Sequence, residues 1–349
     1  MTLKRKIVIW ALAVMAVMMS VTGVFVWRWY SDNRMPNFAD RYVLYVYPEM
    51  TAAQVMDSLN IRAGTLRPRS IERCFEKEDV VSRIKPGRYV IEPSFTSIYV
   101  ARMLKMGWQT PQNLTLSGTI RTKERLARKI SAQMMADSAS VAAALNDEEF
   151  LSGYGFTPEN VFALFLPDTY QMYWTASVKE IFDRMKKEYD RFWNEERLAK
   201  AAGQKLTPMQ VSILASIVSG ETLKSFEYPK IAGVYLNRYR KGMKLQADPT
   251  VAFCYNYELD RILRKHLKVD SPYNTYKYAG LPPAPINVPP KACLEAVLNP
   301  DKHGYMYFCA SPAFDGTHRF ASTFSEHKKN AREFQRALTK RNKEKVALK

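Results

Sequence analysis

An apolar run near the start of the chain constrains its architecture most. Ile7–Trp27 spans 21 residues without a charge and follows Lys4-Arg5-Lys6. At about 1.5 Å per residue, a helix of this length crosses a hydrocarbon core of about 30 Å. The rival reading is a cleaved signal peptide, whose apolar stretch runs to about 7–15 residues and ends on small side chains. This run closes instead on Val26-Trp27-Arg28-Trp29-Tyr30, the pattern of an aromatic belt at a membrane interface. The expectation is an uncleaved transmembrane helix over residues 7–27 and a cytoplasmic basic tip over residues 1–6. Everything after Tyr30 then lies outside the cytoplasm, on the periplasmic or extracytoplasmic side of the cell (inner) membrane. Arg28, Arg34 and Arg41 reduce the charge asymmetry, but a long carboxy-terminal domain is translocated largely regardless of its charges.

Export narrows what the charge can mean. Lys and Arg number 52 against 34 Asp and Glu, a net charge of +18, which favours an anionic partner. Nucleic acid, anionic lipid and a carboxylate-bearing polymer all qualify, and solvated Lys-rich faces are the plain alternative. An exported chain meets lipid and cell wall, so nucleic acid drops out. Cys74, Cys254, Cys293 and Cys309 form no CxxC pair, and His266, His303, His318 and His327 are scattered. No metal or cofactor is expected. An oxidising compartment permits one or two disulfides without fixing their pairing, and buried free thiols are the simpler arrangement.

Residues 28–41 read as a polar linker. Tyr42–Tyr47 then alternates as a strand, and Thr51 with Gln54 has the spacing of a helix capping box. A second helix around Ser70–Glu78, a Lys85-Pro86-Gly87 turn and a strand from Arg88 to Ile91 complete a β-α-α-β module. It is too small to be an enzyme alone. A connecting helix covers about 96–106. Residues 114–200 look mostly helical, with the apolar Val161–Leu166 ending in Pro167-Asp168-Thr169-Tyr170. A basic helix from Glu326 to about Lys340 precedes a Lys-rich, frayed tail over 341–349.

The stretch that carries chemistry runs from Thr207 to Thr222. Thr207 and Gln210 again have capping-box spacing, and Pro208 sits at the first helical position. At about 100° per residue, Leu214, Ile217 and Val218 share one stripe, and Glu221 falls at its centre. Burial of that carboxyl disfavours its charged form and raises its pKa, as a general acid near neutral pH requires. A solvent-facing Glu at a helix end, or one paired with Arg238, fits the spacing equally well. Downstream loops bear amides, hydroxyls and Tyr rings: Leu245-Gln246-Ala247-Asp248-Pro249-Thr250, then Tyr273-Asn274-Thr275-Tyr276, then Gly280-Leu281-Pro282-Pro283. They suit a sugar-binding cleft. Gln246, Asn274 and Tyr276 are the foremost candidate contacts, with Asp248, Thr250, Tyr273 and Thr275 beside them. The same residue types also serve as plain turn formers.

Taken in order, these segments resemble one family. Leu214-Ala-Ser-Ile-Val-Ser-Gly-Glu221-Thr222, Ile231-Ala-Gly-Val-Tyr-Leu-Asn237-Arg238, Gly242–Thr250, Tyr273–Tyr276, Gly280–Pro283, Asn299-Pro300 and Tyr305–Phe308 look like the endolytic murein transglycosylase (MltG/YceG-like) family. Pro167–Tyr170, Pro86–Tyr89 and the single anchor resemble it too, so that the likeness runs from about 42 to about 340.

The resemblance implies an α+β fold. It consists of an N-terminal transmembrane helix, a small LysM-like β-α-α-β module with its connecting helix (42–111), and a mixed α+β catalytic domain (112–340). It implies that Glu221 is the catalytic residue, donating to the bridging oxygen and then taking the proton of the muramic C6 hydroxyl. The product is a 1,6-anhydro end, on nascent strands during wall synthesis. The implied partners are peptidoglycan glycan strands, membrane lipid through the one helix, and wall-synthesis enzymes as candidates; no nucleic acid is implied. One departure is Ser219, where many members carry an acidic residue, followed by Gly220, which costs up to about 1 kcal/mol of helix propensity. Two alternatives stay open: a non-catalytic peptidoglycan-binding scaffold, and a muramidase-type hydrolase using Glu221 with Asp248.

Overall fold

The computed structural model describes residues 3–347. Met1 and Thr2 of the expected cytoplasmic tip, and Leu348 and Lys349 of the expected tail, lie outside the described residues. The chain is mixed α+β and divides into two compact units. The first runs to Asn113 and includes Gln171–Thr175; the second holds Leu114–Tyr170 and everything from Ala176.

The first unit opens with α1 (Leu3–Asn33), the one described helix long and apolar enough to cross a membrane. β1 (Tyr42–Val46) follows, then α2 (Ala52–Arg62), α3 (Pro68–Lys77), a single turn α4 (Val80–Arg83), β2 (Gly87–Ile91) and α5 (Ser97–Met106). β1 and β2 pair antiparallel, Tyr42 opposite Ile91 and Val46 opposite Gly87. Alternation puts Leu44 and Val46 inward, against Val55, Leu59, Ile71, Phe75 and Leu104. Each of these fully buried aliphatic or aromatic side chains contributes about 1.5–3 kcal/mol. The Thr51–Gln54 capping box forms as its spacing predicts and starts α2. Trp174, from the 171–175 segment, stands edge-on to Tyr45 and Tyr47 at 4.9 and 4.8 Å.

Residues 28–41 correct the expectation of a polar linker. α1 continues through Arg28 to Asn33, and its last turn is docked. Asp32 takes the Arg73 guanidinium at 2.6 and 3.1 Å and the Ser70 hydroxyl at 2.6 Å. Asn37, fully buried, accepts from the Arg67 N–H at 2.7 Å and donates to Ser97 Oγ at 2.8 Å. Its polar side chains are there to meet partners some 30 to 60 positions away, which a local reading does not see.

The second unit carries β3 (Gln112–Thr115), whose start lies in the first unit, then α6 (Lys123–Ser131), α7 (Ser138–Ala144) and α8 (Glu148–Ser152). A 3-10 turn at Val161–Leu164 leads to β4 (Thr169–Met172), which pairs with β3. Next come α9 (Val178–Phe192), α10 (Glu195–Gly203), α11 (Pro208–Glu221), α12 (Tyr228–Arg240), α13 (Asp248–Cys254) and α14 (Lys291–Leu298). The hairpin β5 (Tyr307–Ala310) and β6 (His318–Ala321) and the helix α15 (Phe324–Ala347) complete it. α11 is the central element, packed on α10, α12, α13 and α14. Every residue from Val211 to Val218 is buried, so the helix is enclosed on all sides instead of presenting one apolar stripe. α15 also corrects the frayed tail, since it runs helical past Lys340 to Ala347. All four cysteines are free thiols, with Cys74 and Cys293 buried.

Candidate active site

The site is built at the carboxyl end of α11. The Thr207–Gln210 capping box and Pro208 fix where the helix starts. Thr222, extended at φ −146°, stops it immediately after Glu221. The carboxyl therefore sits at the negative end of the helix dipole, which disfavours its ionised form. Part of the side chain reaches the surface, yet the carboxyl is densely surrounded, and this desolvation pushes its pKa from 4.5 up to about 7. The Tyr235 hydroxyl, buried on α12, donates to Glu221 Oε1 at 2.5 Å and partly opposes that rise, while the nearby Asp248 charge adds to it. The other carboxyl oxygen has no hydrogen-bond partner among the described residues.

Arg238 does not pair with Glu221. Its Nε donates to the Met306 carbonyl and its Nη1 to the Leu245 carbonyl, both at 2.6 Å, so this buried guanidinium clamps two loops and reaches Glu221 only through space. Ser219 donates to Asn287 Oδ1 at 3.0 Å, and Asn287 Nδ2 donates back to the Ser216 carbonyl at 2.8 Å. Ser219 thus serves as a neutral tie to the 286–288 segment.

The loop residues separate into two groups. Asp248, exposed at the start of α13, accepts from the Tyr276 hydroxyl at 2.6 Å, and Gln246 stands exposed two residues earlier with φ at +50°. Asn274, Thr275 and Thr250 are buried beneath them. Asn274 Nδ2 donates to the Leu267 and Val269 carbonyls, and Thr275 Oγ1 takes the Ala247 N–H at 2.9 Å and meets Thr250 Oγ1 at 2.9 Å. These three shape the loops that hold Asp248 and Gln246. Tyr273 packs its ring 4.5 Å from Phe253 and lines a neighbouring cavity away from Glu221.

Two cavities meet at Glu221. The smaller, about 220 Å³, is lined by Asp248, Pro249, Tyr257, Leu259 and Ile262; the larger, about 620 Å³, by Thr222, Lys224, Phe314, His318 and Arg341. Thr119, Arg121, Gly220 and Glu221 line both. The raised-pKa acid thus stands where the two cavities join. Sequence reasoning missed Thr119, Arg121, Tyr235 and Asn287 as site residues. Tyr235 falls within a recognised motif but, 14 positions from Glu221, it carries no local signal of meeting it. Arg121 comes from an irregular segment anchored by the Val288 N–H to the Ile120 carbonyl at 2.9 Å.

Tyr235→Phe keeps the ring and removes the hydroxyl. Because that hydrogen bond favours the carboxylate, the Glu221 carboxyl should then titrate about one pH unit higher, as read by carboxyl NMR of labelled protein. An unmoved titration would show that the bond does not form in solution.

Among the described residues, one helix has membrane-spanning length, and a desolvated carboxylic acid with a raised pKa stands at the junction of two grooves, equipped for acid–base chemistry. The chain belongs to the YceG-like family, whose profile matches residues 44–333. It is 37% identical over 154 residues to the endolytic murein transglycosylase of Bacillus subtilis, covering 44% of this chain and 42% of that protein. It is 23% identical over 353 aligned positions to that of Streptococcus pneumoniae strain D39, covering 90% of this chain and 63% of that protein. A crystal structure of a YceG-like protein from Listeria monocytogenes superposes with a TM-score of 0.54 at 26% identity, covering 83% of this chain and 99% of that one. The matched portions thus span 42% and 63% of those two curated relatives.

Proposed function

We propose that this protein is an endolytic lytic transglycosylase that cleaves the MurNAc–GlcNAc β-1,4 bond of peptidoglycan glycan strands. The single observation that carries the reading is Glu221: a carboxyl titrating near pH 7, alone at the junction of two grooves. At neutral pH a substantial fraction is protonated and donates to the bridging oxygen as the bond breaks. The resulting carboxylate, stabilised by the Tyr235 hydroxyl, accepts the proton of the muramic C6 hydroxyl as that oxygen closes on the anomeric carbon. The products are a 1,6-anhydro end and a free 4-hydroxyl, and no water is consumed. The names borne by the relatives in Bacillus subtilis and Streptococcus pneumoniae support this reading.

Gln246, Asp248 and Tyr276 are the proposed sugar-facing residues, and Thr250, Tyr273, Asn274 and Thr275 support them. The antiparallel β-α-α-β order of the first unit supports a LysM-like glycan-holding role for it. α1 supports single-pass anchorage with the catalytic unit outside the cytoplasm, beside the machinery that extrudes nascent strands.

Asp248→Asn tests the rival hydrolase. With Asp248 bonded to Tyr276 as a loop element, the variant should keep cleavage within about tenfold of wild type and still leave anhydro ends. Abolished cleavage, together with water-containing reducing ends from the wild type, would establish Asp248 as a second catalytic carboxylate.

A further inference from the structure

The two grooves that leave Glu221 differ in charge. Along the smaller stand Asp248, Arg121 (which lines both) and apolar Leu259 and Ile262. Along the larger stand Arg121, Lys224 and Arg341, contributed by three separate elements: the 116–122 segment, the turn after α11, and α15. All three are exposed, and among the described residues none has a carboxylate oxygen within 4.0 Å. The Arg121 guanidinium lies 4.9 Å from the Tyr257 ring centre and that of Arg341 lies 4.6 Å from the Phe314 ring centre. A guanidinium stacked on a ring keeps its N–H fork free for a carboxylate. The nearby Asp315 carboxylate is already engaged by the Thr317 N–H at 2.9 Å and hydroxyl at 2.6 Å. Leu223, 90% exposed, Phe314 and Phe334 line the same groove.

Cations without a carboxylate partner, sharing a groove with apolar side chains, suit a ligand that carries both alkyl groups and carboxylates. N-acetylated sugars offer few of either. We propose that the larger groove seats the anionic peptide stem carried by the muramic sugar, with Lys224 and Arg341 as its carboxylate contacts. This rests on the reading of the chain as a glycan-cleaving enzyme. The cleft then reads peptide as well as glycan, and strands that keep their stems are the preferred substrate.

The test uses the full chain in detergent with two substrates: uncrosslinked glycan strands bearing stems, and the same strands stripped by an amidase, which keep only the lactyl carboxylate. Initial rates of new-end formation should favour stem-bearing strands by about tenfold, from about two charged contacts. In the Lys224→Ala/Arg341→Ala variant that ratio should fall toward unity, and in Lys224→Arg/Arg341→Lys, which keeps the charges, it should persist. Equal rates on both substrates for the wild type, a full preference in the alanine variant, or its loss in the charge-conserving one would each overturn the stem site. A wild type that cuts neither substrate would instead overturn the enzymatic reading beneath it.

Discussion

Glu221→Gln is expected to lower the rate of glycan cleavage about a thousandfold or more, because in the proposed cycle one residue supplies both the acid and the base. The amide keeps the volume and still accepts from the Tyr235 hydroxyl, so the fold should survive. Stability gives a second, independent signature. The native carboxyl holds its proton to about pH 7, whereas in the unfolded chain it releases it near 4.5. Between these values the unfolded state binds fewer protons, so stability falls as pH rises through that window and levels off above it. Removing the group removes this penalty. The variant should match wild type near pH 4 and exceed it by about 3 kcal/mol at pH 8, measured by denaturant unfolding of the soluble part of the curve at each pH. The same titration places the alkaline limb of the activity profile near pH 7, where the acid is lost.

Gly220→Ala should also damage activity, by less than the loss of the acid, although its neighbour is the acid and not the residue itself. A Cβ at position 220 would stand 2.6 Å from Pro249 Cβ and 2.8 Å from its Cγ. The proline ring has little freedom to turn away, so α13 must move relative to α11. That movement carries Asp248 and displaces one wall of the groove by several tenths of an ångström or more. A misplacement of about 1 Å at a reacting centre can cost about a hundredfold in rate. The expected result is a loss of that order in kcat at a modest change in thermal stability. Wild-type kinetics would show that the close approach of Gly220 to Pro249 is not required. The apparent defect of a glycine in a helix, which propensity alone scores as a weakness, is thus explained by packing.

The features legible in the sequence are those settled by chemistry within one or two helical turns. The capping boxes Thr51–Gln54 and Thr207–Gln210 form as their spacing predicts, because both partners lie on the same turn. Gly242 ends α12 at φ +66°, as a glycine can. The position of Glu221 on a buried helix was readable for the same reason. Its surroundings were not. Tyr235, which bonds the carboxyl, lies on the next helix, and Asn287 and Arg121, which line the cavity beside it, are 66 positions on and 100 positions back, so only the folded chain brings them to one site. The residues 28–41 looked like a linker because their polarity is satisfied by Arg73, Arg67 and Ser97, far along the chain. Asn274 and Thr275 looked like sugar ligands for a related reason. An amide and a hydroxyl that satisfy buried loop backbone have the same identity as ones that face a ligand, and burial alone separates them. Arg341 shows the converse, since a residue assigned to a frayed basic tail lies on a continuous helix and lines the groove.

In the proposed mechanism Glu221 completes the reaction alone, with the muramic C6 hydroxyl in place of water. Digestion of stem-bearing glycan strands in water enriched in heavy oxygen, followed by mass spectrometry of the released fragments, tests it most directly. The expected new muramic ends are one water lighter than reducing ends and carry no heavy oxygen. Reducing ends bearing the heavy isotope would contradict it and assign the protein to the hydrolases.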